Sequence, residues 1–108
     1  MIVDIWELGK SDRGLAESLH IALQDVMDPE LGLNIIQLGL VRNVALKEES
    51  ALVTMILTTP FCPYAPQLME ACRSKTEEIL GISTTIEMGS EFWDRSMMED
   101  DSFDWGLY

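Results

Sequence analysis

Apolar and polar positions alternate along this chain with two different periods. From Leu15 the spacing is helical: Leu15, Leu19, Ala22, Leu23 and Val26 fall on one stripe. Ser11 is suited to cap this helix, with Asp12 as acid in its first turn. Asp28-Pro29 ends it, because a residue before proline is pushed out of the helical region. His20 falls beside the stripe and reads as a surface or boundary residue. The stretch from Asp28 to Asn34 is rich in turn formers and reads as a loop. Leu38 to Leu46 reads as a strand, Lys47-Glu48-Glu49-Ser50 as a turn, and Ala51 to Thr58 as a second strand. So short a polar turn makes the pair an antiparallel hairpin.

Pro63 to Leu80 returns to the helical period. Its prolines, Pro63 and Pro66, are tolerated only in a first turn, where their missing N–H groups have no partner to lose. Ala65, Leu68, Met69, Cys72, Ile79 and Leu80 form its buried stripe, and Gly81 suits a left-handed cap. Ile82, Thr84, Ile86 and Met88 alternate with polar residues as a third strand. The order α-β-β-α-β predicts an α+β, two-layer domain, with two helices on one face of a small mixed sheet. The unit from Ala51 to Met88 is a right-handed crossover if its strands are parallel. The chain divides into an N-terminal extension (1–11), a domain (12–90) and an acidic, aromatic C-terminal segment (91–108) docked on that domain.

A chain of 108 residues holds one core, and the formal charge of −12 narrows its partners. Nucleic acid and anionic membrane surfaces both attract positive charge, so neither is expected. The N-terminus has acids where a secretory signal has bases, and no run approaches a membrane span. A cytoplasmic protein with reduced cysteines is the expectation. If Cys62 and Cys72 flank one helix, roughly 15 Å of axial rise separates them, too far for a disulfide.

Cys62 carries the most chemical potential. It lies in Thr58-Thr59-Pro60-Phe61-Cys62-Pro63, between a strand and a helix start. Unpaired N–H donors and the helix macrodipole favour the thiolate there, the form that binds metal or attacks an electrophile. Antiparallel pairing of the first two strands puts the Asp28–Glu30 loop and the Cys62 loop at one sheet edge. That patch gathers Asp28, Glu30, Thr58, Thr59 and Cys62. The chain has no Gly-rich phosphate loop, no Cys-x-x-Cys and no Cys–His motif, so no nucleotide, zinc or conventional catalysis is expected. One cysteine cannot complete a four-ligand iron–sulfur site. A cluster would have to bridge two subunits of a homodimer, borrow a small thiol or use oxygen ligands.

Three stretches resemble a known family: Val26-Met27-Asp28-Pro29-Glu30-Leu31, Asn34-Ile35-Ile36-Gln37-Leu38-Gly39-Leu40-Val41, and Thr54 to Pro63. They are similar to the SufT/PaaD-like iron–sulfur assembly domains, and Trp93-Asp94-x-Ser96-Met97-Met98 resembles the family's C-terminal signature. The resemblance implies a non-enzymatic accessory factor in iron–sulfur cluster assembly or transfer to client apoproteins. It implies Cys62 as the functional thiol and transient cluster ligand, with Asp28, Glu30, Leu31, Thr58 and Thr59 supporting it. Partners would be assembly proteins and clients. Gln37 stands where the family often has an acid, and Phe61 where it often has a small residue. The zinc-binding C-terminal cysteines of phenylacetate-pathway members and the ATPase of the fused scaffolds are absent from this sequence. The alternative is a metal-free adaptor that recruits clients or machinery through the Cys62 loop and the acidic tail. A thiol enzyme is the third reading.

Overall fold

A computed structural model describes residues 2–29, 31–58 and 63–98. The chain opens with a 3-10 turn at Ile2–Ile5 and a short helix α1 (Glu7–Ser11). Helix α2 (Arg13–Ala22) follows, and a 3-10 turn at Leu23–Asp25 extends it. Its cap is Asp12 rather than Ser11: the Asp12 carboxylate accepts from the Leu15 amide at 3.1 Å, while Ser11 ends α1.

The stretch from Met27 to Asn34 is more ordered than a loop. Strands β1 (Met27–Asp28) and β2 (Leu33–Asn34) pair antiparallel around a tight turn. Helix α3 (Ile35–Leu38) then precedes β3 (Val41–Lys47), so the expected strand from Leu38 begins three residues later. Asn34 caps α3 and Gln37 reciprocates. The Asn34 Oδ1 accepts from the Gln37 amide at 2.8 Å, and Gln37 Oε1 accepts from the Asn34 amide at 3.1 Å. A neutral amide oxygen does this work, so the missing acid at position 37 costs the cap nothing.

β3 and β4 (Ser50–Met55) form the expected hairpin. Helix α4 (Ala65–Leu80) leads to β5 (Ser83–Met88), which runs parallel to β4. Strand order β3-β4-β5 makes the sheet mixed, with β4 central. The fold is therefore mixed α/β, with helices and two small sheets. Gly81 caps α4 at φ 70°, as its position suggests. Thr76 joins the expected stripe of α4, wholly buried, its hydroxyl donating to the Cys72 carbonyl at 2.7 Å.

One cluster unites the molecule. Leu19 and Leu23 of α2, Ile35, Ile36 and Leu38 of α3, Val53 and Met55 of β4, and Leu68 and Cys72 of α4 all belong to it. Val3, Trp6 and Leu8 are fully buried in the same core. The Trp6 indole donates to the Val41 carbonyl at 2.9 Å, and the Asn43 side chain bonds the Glu7 amide at 2.8 Å. These ties hold α1 against the edge strand β3. They also correct the reading of His20, which is buried with its ring 6.4 Å from that of Trp6.

At the other end, Trp93 donates to the Leu38 carbonyl at 2.7 Å, and Met98 is buried in the core. Gly39 sits beneath this segment at φ 73°, and a Cβ there would lie 2.0 Å from the Met97 carbonyl oxygen. Only glycine meets both demands.

Candidate functional site

Asp28 belongs to β1, opposite Leu33, and its carbonyl accepts from the Gly32 amide at 2.9 Å. The two-residue strand alternates: Met27 faces solvent and Asp28 is 2% exposed. A carboxylate so deeply placed needs hydrogen-bond partners, which fixes its direction. Leu31, on the turn between β1 and β2, is exposed.

Thr58 is half-buried three residues beyond β4. It lines a hollow with Leu57, Met88, Gly89 and Trp93. On the far side of the cysteine loop, Tyr64 occupies the cap position of α4 with no side-chain cap bond. Tyr64, Gln67 and Leu68 share a second, open hollow with Met27 and Pro29. The start of α4 and Pro29 therefore line one hollow. Thr58 sits at the other hollow, against the return from β5. Glu30, Thr59, Phe61 and Cys62 lie outside the described residues.

Cys72 is unreactive by construction. It is fully buried, and burial pushes its thiol up to about 12, while a hydrogen bond with Thr76 opposes that shift. It forms no disulfide. Among the described residues, no group of three or more His, Cys, Asp or Glu could hold a metal ion. No described helix is long and apolar enough to cross a membrane.

Sequence reasoning missed α3, whose capping box positions the turn into β3. The signal was present as Asn34-x-x-Gln37, ahead of apolar residues. Sequence also left Trp93 and Asp94 as a bare signature. Trp93 latches onto α3, and Asp94 caps the 3-10 turn Arg95–Met97 by accepting from the Ser96 amide at 2.8 Å. That bond and one from Ser96's side chain hold the Asp94 carboxyl below its usual range.

Comparison with known proteins decides the family. Residues 17–88 match the family model described as iron–sulfur cluster assembly protein. The chain belongs to this iron–sulfur cluster assembly family. It is 36% identical over 89 residues to an Fe-S protein maturation auxiliary factor of Porphyromonas gingivalis, covering 80% of this chain and 85% of that one. It is 38% identical over 76 residues to the Fe-S protein maturation auxiliary factor SufT of Staphylococcus aureus, covering 68% and 86%. Among solved structures, a Bacillus anthracis domain described as of unknown function superposes with a TM-score of 0.74 at 26% identity, covering 87% of this chain and 92% of that one. The resemblance drawn from the motifs is borne out. The family match runs from within α2 to the end of β5 and leaves outside it both Trp6 and Trp93, which bond to Val41 and Leu38 inside it.

Proposed function

We propose that this protein is an accessory, non-catalytic factor in iron–sulfur cluster assembly, and that it passes clusters or sulfur to client apoproteins through Cys62. The observation that carries the reading is the family match over residues 17–88, which spans the cysteine loop and both elements that flank it. The cluster is cargo, held briefly and released. By sequence, Cys62 stands three residues ahead of Ala65, the first residue of α4. The free N–H groups and macrodipole of a helix start favour a thiolate. The proximity of Pro29 to Tyr64 supports a shared patch in which Asp28 and Glu30 orient the loops beside the thiol. Thr58 and Thr59 would bond the cargo or the loop backbone, and exposed Leu31 would face a partner.

A single thiolate is a poor permanent anchor. Four-ligand clusters need further donors, so a cluster on Cys62 would share its shell with a small thiol, oxygen ligands or a second chain. Incomplete ligation suits transfer, since fewer bonds must break on release. The negative charge of the chain attracts iron cations, while nearby carboxylates oppose thiol ionisation. The helix start counters that second effect. The cytoplasm is the expected compartment, where thiols stay reduced.

Anaerobic reconstitution with iron and sulfide tests this reading. Wild type should develop a charge-transfer absorbance and acid-labile sulfide, which Cys62→Ser loses while its circular dichroism is unchanged. Equal iron and sulfide on both proteins, or none on wild type, would favour the metal-free adaptor.

A further inference from the structure

We propose that the outer edge of β5 and the adjoining face of α4 form a docking groove for an extended, basic segment of a partner protein, which adds as a fourth strand. This rests on the accessory role above and names where a client would bind. β5 is the end strand in the order β3-β4-β5. In a parallel ladder, a residue's N–H and C=O point to the same side, and successive residues alternate. The Gly89 amide donates to the Met55 carbonyl of β4 at 2.9 Å, so odd positions face inward. The Thr84 amide turns the other way and donates to Glu77 Oε2 at 3.0 Å. Backbone groups of Thr84, Ile86 and Met88 therefore point out of the sheet.

Glu77 occupies the first of these donors. No acceptor among the described residues takes the Ile86 or Met88 amide. An edge left open in this way is a template for strand addition. Beside it, Pro66, Met69, Glu70 and Arg73 follow helical spacing on α4 and, with Thr84 and Ile86, line a groove of about 540 Å³. Side chains of an added strand would drop into it.

Charge selects the occupant. Arg73, the groove's cation, is held by both Glu70 and Glu77, the latter at 2.6 Å, so two carboxylates stand against one guanidinium. Glu87 is exposed on the strand itself. A chain of charge −12 disfavours a second copy here and favours lysine- or arginine-bearing strands. The groove has a direction as well. Glu77 closes the end at Thr84, while Met88 pairs with Met55, the last residue of β4, at the end leading to Thr58 and the cysteine loop. A docked segment thus runs towards Thr58, which shares a hollow with Met88.

The probe is a fluorescein-labelled hexapeptide of alternating lysine and valine, titrated by anisotropy at low salt. Wild type and Cys62→Ser should bind it alike, which separates docking from cargo handling. Met88→Pro removes one outward donor from an exposed position and should weaken binding at least about ten-fold, as should glutamate in place of lysine. The fully N-methylated peptide keeps its charge and its carbonyls but has no N–H to give the outward carbonyls of β5, and its methyls obstruct close approach, so it should bind at least about ten-fold more weakly. Equal binding of the N-methylated peptide, no binding by wild type, or a wild-type dimer that Met88→Pro dissociates would overturn the proposal.

Discussion

The two cysteines lie ten positions apart in sequence and are proposed to play opposite roles. Cys72 was legible as a core residue because it lies on the apolar stripe of α4, and its raised pKa follows from that burial. Cys62 was expected at a helix start from the prolines that bracket it, and it lies outside the described residues. Native protein should therefore react with Ellman's reagent at one thiol per chain, and denatured protein at two; native Cys62→Ser should react at none. Rapid labelling of both thiols in the native state would refute the assignment. His20 was misread for a physical reason. Helical periodicity places a residue relative to its own stripe, but the cover over His20 comes from Trp6, on an element that periodicity does not connect to it.

At the level of elements, long segments with strong periods were readable: α2, the hairpin, α4 and β5. The ribbon β1–β2 and α3 were not, since two- and four-residue elements have no period to detect. They are held by caps and tertiary contacts instead. The link between α4 and β5 is a further element-scale device. The Thr84 amide, and next the Arg73 guanidinium, hold the Glu77 carboxyl below its ordinary value. A lowered pKa means this tie is complete above the ordinary glutamate value of about 4.3, and is lost as pH falls below it through the folded value. The Thr84 amide resonance should follow that titration with a midpoint below 4.3, and Glu77→Gln should abolish it. A midpoint at or above the ordinary value would show that the tie is weak.

Across the whole molecule, the α-β-β-α-β order and the mixed sheet followed from the sequence, but the role of the N-terminal segment did not. Residues 1–11 were set apart as an extension, and nothing in their short pattern reveals that Val3, Trp6 and Leu8 enter the core. Burying a tryptophan with its indole N–H bonded is a large contribution against a total stability of about 5–15 kcal/mol. Trp6→Ala should cost about 3–5 kcal/mol in urea denaturation. A loss under about 1 kcal/mol would mean that α1 is dispensable to the family's fold.

Cargo is proposed to leave through Cys62, and transfer to an acceptor measures that directly. After anaerobic reconstitution, the protein is mixed with apo-ferredoxin, and cluster arrival is followed by the ferredoxin's visible circular dichroism. Wild type and Cys72→Ala should speed holo-ferredoxin formation well beyond free iron and sulfide, and Cys62→Ser should not. Equal acceleration by Cys62→Ser would contradict it.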